Sequence, residues 1–169
     1  MTLRRAHAGD AAKLALIGGA SFLETFANDH PGDALVAFVR DHHGIAAWDA
    51  TLADPQNAVW IAEECAGSPI GYAVLASARL PGTTARDAEI KRIYLLSKWH
   101  GSGLGAALFA AAETEARARA ALRLVLSVYT RNARAIRFYE SRGFTRIGQA
   151  AFAEFPAEFD DYVMAKPLV

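Results

Sequence analysis

The stretch that most constrains this chain runs from residue 89 to residue 105, EIKRIYLLSKWHGSGLG. An apolar strand pattern leads into a loop with glycines at positions 101, 103 and 105, and an alanine-rich helical pattern follows at once. Glycines let backbone N–H groups approach a ligand closely, and a helix N-terminus carries a partial positive charge. The pattern therefore predicts a cradle for an anion, with a pyrophosphate as the leading candidate.

Two common phosphate-binding loops do not fit this pattern. No Lys-Ser or Lys-Thr pair follows the glycines, so the loop is not a P-loop. The spacing G-S-G-L-G is one residue short of G-x-G-x-x-G, and the chain before it has a hairpin pattern rather than the start of a βαβ unit. A glycine loop can also serve only to turn the chain, and from the loop alone that alternative stays open.

A second informative stretch, SVYTRNARAIRFYESRGF, covers residues 127–144. Asn132 and Tyr139 are seven residues apart, so on a helix their side chains lie within about 20° of one face. Ala135 and Ile136 lie between them on that face, which makes the stripe suitable as a ligand wall. The alternative is that Asn132 only caps the helix and Tyr139 only packs in the core.

Hydrophobic periodicity along the whole chain gives the element order β-α-α-β-β-β-α-β-α-β-β. Predicted helices cover residues 10–26, 33–43, 103–121 and 132–142, with one or two further helical turns at 46–52. Predicted strands cover residues 2–6, 57–64, 70–79, 89–96, 122–129, 144–152 and 162–165. Gly18-Gly19 should bend or split the first helix. This order predicts an α/β protein with a mixed sheet and helices on both faces.

Composition excludes several classes of protein. The length of 169 residues predicts a single domain spanning 1–169, and 18 Lys+Arg against 18 Asp+Glu argue against a nucleic-acid partner. A single cysteine excludes an intrachain disulfide framework, and the five histidines lack metal-ligand spacing, so no metal is expected. The longest uncharged run has 14 residues, at 65–78, whereas a membrane span needs about 20. We therefore expect a cytoplasmic protein without a membrane partner.

Two motifs together identify a family resemblance. HGSGLG, entered from a strand ending Ile93-Tyr94-Leu95, resembles the acetyl-CoA-binding motif of the GNAT superfamily of N-acetyltransferases. The helix with Asn132 and Tyr139, followed by Gly143-Phe144, is similar to the family's second signature, N-x-x-A-x-x-[FL]-Y-x-x-x-G-F. His100 stands where the family usually has Gln or Arg. On the looser motifs SFLETF, RIYLL and FDDYVMAKPL, the chain is similar to bacterial spermidine/spermine-type acetyltransferases.

The resemblance implies a mostly antiparallel sheet, acetyl-CoA as cosubstrate, and direct acyl transfer from the thioester to an amine. It assigns the backbone N–H of Leu95 to the thioester carbonyl, as an oxyanion hole. It assigns Asn132 to the pantetheine arm and makes Tyr139 the acid that protonates the leaving thiolate. The implied cofactor-binding residues are Ile93, Tyr94, Leu95, His100, Gly101, Ser102, Gly103, Leu104, Gly105, Asn132 and Tyr139.

Glu89 is the candidate general base. A primary amine with a pKa near 10.4 is only about 0.1% neutral at pH 7.4, which costs ~4 kcal/mol, so a proton acceptor is useful. Glu89 lies six residues before Leu95, where many GNAT enzymes carry a base, and strand alternation places both on one face. Such a Glu needs burial or an intervening water to act at neutral pH. The alternative is a solvated Glu89 paired to Lys91 or Arg92.

The acceptor is less constrained than the donor. A small primary amine is expected, with a polyamine as one candidate, and the alternatives are a protein N-terminus or lysine, or a non-catalytic acyl-CoA-binding module. The family resemblance also suggests a homodimer. In the GNAT fold the N-terminal helical region forms the acceptor pocket, and there Trp48, Phe22 and Phe26 are expected in the core, with a substrate wall as the alternative.

Charge is distributed unevenly towards the C-terminus. Residues 117–146 hold eight Arg and one acid, and in the family this half faces coenzyme A. Residues 149–161 hold four acids and no base, which would suit a cationic amine or would simply be a solvated segment. These four acids are Glu154, Glu158, Asp160 and Asp161.

Overall fold

The fold of this chain is known from a computed structural model, which describes residues 1–151 and 160–168. Its helices are α1 (Ala11–Phe26), α2 (Gly32–His43), α3 (Ile45–Ala53), α4 (Leu104–Ala118) and α5 (Ala133–Glu140). Its strands are β1 (Thr2–Arg5), β2 (Ala58–Glu63), β3 (Pro69–Ser77), β4 (Asp87–Leu95), β5 (Arg123–Tyr129), β6 (Thr145–Ala151) and β7 (Asp160–Pro167). The segment predicted as one or two helical turns is a third complete helix of 9 residues, α3.

The seven strands follow the order β1-β2-β3-β4-β5-β7-β6. The pairs β1–β2, β2–β3, β5–β7 and β6–β7 are antiparallel, and β4–β5 is parallel. This confirms the predicted α/β fold with a mixed, mostly antiparallel sheet flanked by helices. None of the helices in the described residues is long and apolar enough to span a membrane.

The chain forms two compact units. The first unit comprises residues 1–75 and 92–112, and the second comprises residues 76–91 and 113–169. The first unit therefore contains α1, α2, α3, the N-terminal part of the sheet and the glycine loop. The second unit contains α5, the strands β5 to β7 and the first half of β4.

The core of the first unit lies between α1, α3 and strands β2 and β3. Its fully buried members include Leu14 and Ile17 of α1, Trp48 of α3, and Tyr72 of β3. Burial of such large side chains stabilises the unit by about 1.5–3 kcal/mol each. The prediction that Trp48 and Phe22 lie in the core is confirmed, because they are 0% and 2% exposed.

Of the predicted bend or split at Gly18-Gly19, the split is wrong, because α1 is continuous over 16 residues. A Cβ on Gly18 would lie 2.4 Å from Nδ1 of His43, and one on Gly19 would lie 3.3 Å from Cγ1 of Val39. The two glycines therefore allow α2 to pack closely against α1. Close packing outweighs the roughly 1 kcal/mol per residue that a glycine costs inside a helix.

In the second unit, β5 and β7 form the longest ladder, over Arg123–Tyr129 against Asp161–Pro167. The start of β4 is held to β5 by a buried carboxylate. Arg123 donates from Nε and Nη2 to Asp87, at 2.9 and 2.6 Å. Hydrogen bonding from Arg123, opposed by burial, lowers the pKa of Asp87. This ion pair fixes the position at which Glu89 enters the sheet.

Candidate functional site

The glycine loop needs glycine for its backbone conformation. Gly101 and Gly103 have φ angles of +84° and +87°, which side-chain-bearing residues rarely adopt. A Cβ at either position would meet nothing within 4 Å, so the surface above the loop is open. Gly105 lies inside the first turn of α4, so the prediction of a third glycine in the loop is wrong.

Two residues of the implied cofactor-binding set, His100 and Ser102, use their main-chain N–H groups within the loop itself. The N–H of His100 donates to the carbonyl of Ser97 at 3.0 Å, and that of Ser102 donates to the carbonyl of Trp99 at 3.2 Å. These hydrogen bonds shape the turn that precedes α4. They leave fewer main-chain donors for a ligand than the motif alone suggests.

The remaining main-chain donors come mainly from the glycines. Within residues 1–151 and 160–168, no acceptor is bound by the N–H groups of Gly101, Gly103 and Gly105. The N–H of Leu104 makes a long contact, 3.4 Å, with Oγ of Ser102. Donors at the start of a 15-residue helix favour an anion, because the helix dipole adds to them.

Two carboxylates hold the loop against the rest of the first unit. Glu24 of α1 accepts from the N–H and the hydroxyl of Ser97, at 3.0 and 3.1 Å. Glu64 accepts from Nε1 of Trp99 at 2.6 Å, and this hydrogen bond lowers the pKa of Glu64. The loop is therefore positioned by side chains at its start, while its glycine end stays open.

His100 ties the loop to the end of β4. Its Nε2 lies 2.7 Å from the carbonyl oxygen of Leu95. Because a carbonyl only accepts hydrogen bonds, Nε2 carries the proton and donates it. The residue that departs from the usual Gln or Arg thus contacts the residue assigned to the oxyanion hole.

The end of β4 packs unusually close to β3. A Cβ on Gly71 would lie 2.7 Å from Cδ1 of Leu95 and 2.8 Å from the carbonyl oxygen of Tyr94. The N–H of Leu96 donates to the carbonyl of Ile70 at 3.0 Å. Glycine at position 71 is therefore required by space, and it fixes the backbone at the end of β4.

The other edge of β4 is paired over a short distance. In the second unit, Asp87–Glu89 pair with Arg123–Val125 of β5, and within the described residues this parallel ladder ends there. In the first unit, β4 is the last strand of the order β1-β2-β3-β4. Edge strands offer N–H and C=O groups that an extended amide-bearing ligand can pair with.

Glu89 is buried, with 6% of its surface exposed. Its Oε2 accepts from the backbone N–H of Arg79 at 2.8 Å. The alternative of a solvated Glu89 is therefore wrong. Burial and this hydrogen bond fix the position of the carboxylate within the second unit.

Both signature residues of α5 have structural roles in the second unit. Oδ1 of Asn132 accepts from the N–H of Ala135 at 3.0 Å, so Asn132 caps the helix. Tyr139 is 8% exposed, and its ring lies against Phe138 and Phe144, with centroids 5.3 and 5.6 Å apart. These contacts hold both side chains in fixed positions.

The charged C-terminal half is partly neutralised internally. Arg117 and Arg119 pair with Glu113 and Glu115 along α4, at 3.0 and 2.8 Å. Arg131, Arg134 and Arg137 recur every third residue and are exposed. Asp161, one of the four acids expected to suit a cationic amine or to be solvated, is instead buried, which raises its pKa to about 6. Glu154 and Glu158 lie outside the described residues.

Comparison with known proteins decides the family. The model of the acetyltransferase (GNAT) family matches residues 20–144. An uncharacterized N-acetyltransferase of Mycobacterium tuberculosis is 33% identical over 160 residues, which cover 95% of this chain and 99% of that protein. The chain belongs to the GNAT family. Membership confirms the predicted class, an acyltransferase, and does not identify the acceptor.

Solved structures agree with this GNAT fold. A PaiA N-acetyltransferase of Thermoplasma acidophilum, solved in complex with coenzyme A, superposes with a TM-score of 0.79 at 19% identity, covering 98% of each chain. The putative acetyltransferase YncA of Salmonella typhimurium, solved with its cofactor acetyl-CoA, has a TM-score of 0.72 at 26% identity. That match covers 100% of this chain and 94% of the other.

Some features of this GNAT chain are not visible in the sequence motifs. The His100 side chain and Gly71 act on the backbone around Leu95, and no short-range pattern announces either contact. Arg92 is a third such feature, because its guanidinium lies 5.6 Å from the ring centroid of Trp48. In the sequence, the only sign of a special role for Arg92 is a charge among the apolar residues of a predicted strand.

Proposed function

We propose that this protein transfers the acetyl group of acetyl-CoA directly to a primary amine. The observation that carries the proposal is the open loop at Gly101 and Gly103, which presents unused main-chain N–H groups beside the N-terminus of α4. Such a loop is suited to the diphosphate of coenzyme A. The YncA structure with acetyl-CoA, from a relative of this fold, supports the same choice of donor.

The proposed chemistry follows the residues of β4. The edge of β4 at Ile93-Tyr94-Leu95 pairs with the amide groups of the pantetheine arm, and the N–H of Leu95 polarises the thioester carbonyl. The amine nitrogen forms a bond to the carbonyl carbon, and the carbon–sulfur bond breaks. His100 is a positioning residue here, because its hydrogen bond to Leu95 fixes the main chain at that point.

Two side chains move the protons in this proposal. Glu89 accepts the proton that the substrate's ammonium group must lose before its nitrogen can attack, directly or through a water. Tyr139 gives a proton to the thiolate that leaves, so that coenzyme A departs as a neutral thiol. Asn132, whose Oδ1 caps α5, still has an amide NH₂ group with which to contact the pantetheine arm.

Three further predictions belong to this proposal. Residues 1–169 act as one GNAT domain, the protein is a homodimer, and it is cytoplasmic. The finer resemblance to spermidine/spermine-type enzymes suggests polyamines as acceptors, so spermidine and spermine belong in any substrate panel.

The test is release of free thiol from acetyl-CoA in the presence of a panel of amines, combined with calorimetry of acetyl-CoA binding. We expect heat of binding and amine-dependent thiol release. Binding without release for any amine would favour a non-catalytic acyl-CoA-binding module. Absence of binding heat would contradict the proposal as a whole.

A further inference from the structure

The first unit contains a cluster of aromatic side chains around β4 that the proposed chemistry does not use. Trp48 and Tyr72 meet edge to face, with ring centroids 5.2 Å apart, and Tyr72 stacks on Tyr94 at 5.7 Å. The guanidinium of Arg92 lies over Trp48, 5.6 Å from the ring centroid. Trp48 and Tyr72 are fully buried, whereas Arg92 and Tyr94 are partly exposed.

This cluster contains hydrogen-bonding groups without partners. In the described part of the chain, Nε1 of Trp48 and both ring nitrogens of His43 are buried and bind no other group. His43 belongs to the same cluster, because its ring centroid lies 6.1 Å from that of Trp48. The hydroxyl of Tyr72 lies beside Ser21, whose own hydroxyl donates to the carbonyl of Ile17 at 2.7 Å and can still accept from Tyr72. Buried polar groups without partners are rare, and ordered water or a ligand usually completes them.

The charge in this cluster is positive. Burial lowers the pKa of His43 to about 3, with further contributions from Arg92 and His42, so the imidazole is neutral. Burial raises the pKa of Tyr72, so its hydroxyl stays protonated and can donate. Among residues 1–151 and 160–168, no carboxylate pairs with Arg92. The cluster therefore offers a cation and neutral donors, which is an environment for an anionic group.

We propose that Arg92 binds a carboxylate on the acceptor, so that the substrate is a primary amine that also carries a carboxylate, as amino acids do. This inference rests on the proposed acetyltransferase function. A planar guanidinium pairs with a carboxylate through two parallel hydrogen bonds. A single cation matches one negative charge better than the two charges of a phosphate. An ammonium group of a polyamine would be repelled at this position.

The location of Arg92 suits this role. Arg92 lies three residues before Leu95 on the same strand, about 10 Å along the backbone. A small substrate together with the long arginine side chain can span that distance. The amine can therefore reach the thioester while the carboxylate is held at Arg92.

The test compares pairs of amines that differ only in the carboxylate. Each amino acid is assayed beside its decarboxylated counterpart, for example lysine beside cadaverine, ornithine beside putrescine, and methionine beside 3-(methylthio)propylamine. The same pairs are measured with the wild type, Arg92→Gln, Arg92→Lys and Arg40→Gln. Arg40→Gln is the control for loss of one positive charge, because Arg40 is exposed on α2 and pairs with its neighbour Asp41.

For each pair, kcat/KM for the amino acid is divided by kcat/KM for its decarboxylated counterpart. This ratio in each variant is then compared with the same ratio in the wild type, so that the pKa and nucleophilicity of each amine cancel. We expect Arg92→Gln to lower kcat/KM for the amino acids by roughly 10- to 100-fold and to leave the decarboxylated amines within about threefold. Arg92→Lys should retain part of the kcat/KM for the amino acids, because lysine keeps the positive charge but cannot form the two parallel hydrogen bonds of a guanidinium. Arg40→Gln should leave kcat/KM unchanged for both the amino acids and the decarboxylated amines. The affinity for acetyl-CoA should be unchanged in every variant.

Three outcomes would overturn the inference. An equal loss for both members of each pair in Arg92→Gln would show that Arg92 has only a structural role. A wild type that prefers the decarboxylated amines, or spermidine, would show that the acceptor carries no carboxylate. Thiol release with decarboxylated amines or spermidine would still support the acetyltransferase function. Absence of thiol release with any amine would contradict both that function and the inference.

Discussion

The glycine loop and α5 carry function in two different ways. In the loop, the functional groups are main-chain N–H donors. Gly101 and Gly103 contribute because they have no side chain, which allows their positive φ angles and leaves the surface open. In α5, the useful groups are side chains, and the backbone only holds Asn132 and Tyr139 in place. Substitutions therefore test the two regions in different ways. In the loop, function is expected to change when a side chain is added to a glycine, and in α5 it is expected to change when a functional group is removed from a side chain.

The largest expected effect is in the side-chain region. Tyr139→Phe should lower turnover by roughly 100-fold or more, because the leaving thiolate loses its acid. The ring still packs against Phe138 and Phe144, so acetyl-CoA affinity should stay within about twofold. Steady-state kinetics and calorimetry separate the two quantities. A change in affinity without a change in turnover would mean that Tyr139 is not the acid.

Glu89→Gln should give the next largest effect and should depend on pH. The glutamine keeps a carbonyl oxygen that can accept from Arg79, so the fold should be retained. Without a base, the reaction relies on the neutral fraction of the amine, which falls tenfold for each unit that the pH drops below the amine pKa. We therefore expect a loss of roughly 100-fold near pH 7 that shrinks as the pH rises. A pH–rate profile parallel to that of the wild type would remove Glu89 from the mechanism.

Gly103→Ala tests the main-chain region. An L-residue at φ +87° is strained by roughly 1–2 kcal/mol, and relief of that strain would rotate the N–H groups of the loop. We expect about a tenfold loss of acetyl-CoA affinity by calorimetry. The matched control is Gly82→Ala, which has a similar φ of +76° and equally open surroundings. The account would be contradicted if both variants lost stability alike and neither lost affinity.

The smallest expected effect concerns two buried titratable groups of opposite sign. His43 has its pKa lowered to about 3, so the unfolded chain takes up the proton first and stability is lost as the pH falls below about 6.5. Asp161 has its pKa raised to about 6, so the folded chain takes up the proton first and stability is gained as the pH falls through 6. The two contributions nearly cancel in the wild type.

Asp161→Asn should remove that cancellation. Between pH 7 and pH 5 we expect the free energy of unfolding to fall by less than about 1 kcal/mol in the wild type and by about 2 kcal/mol in the variant. Denaturant titrations at both pH values measure the difference. If the free energy of unfolding fell by the same amount between pH 7 and pH 5 in both proteins, Asp161 would not titrate in this range.

Much of the fold could be predicted from the sequence because its local signals agree with its packing. The strands around Val59 and Val125 have the apolar, β-branched pattern of buried strands, and every predicted helix is present. The predicted split at Gly18-Gly19 is wrong because a helix propensity describes the isolated helix. The two glycines instead make room for His43 and Val39 of α2, and His43 is 25 residues away in the chain from Gly18. Long-range packing of this kind has no local signal.

The candidate site divides in the same way. The glycine cradle is encoded in consecutive residues, so the motif predicts it, and the structure corrects only the place of Gly105 and the use of two N–H groups. The burial of Glu89 and the contact of His100 with Leu95 depend on chain segments that meet only in the fold. The aromatic surroundings of Arg92 come from three separate elements and could not be predicted for the same reason.

Amide NMR of the ¹⁵N-labelled protein titrated with acetyl-CoA tests the central claim most directly. The account predicts that the largest shift changes fall on the amides of Gly101, Gly103 and Gly105, with further changes at Leu95 on β4. Saturable binding whose shift changes spare these glycines would contradict it, because the diphosphate would then be held somewhere else.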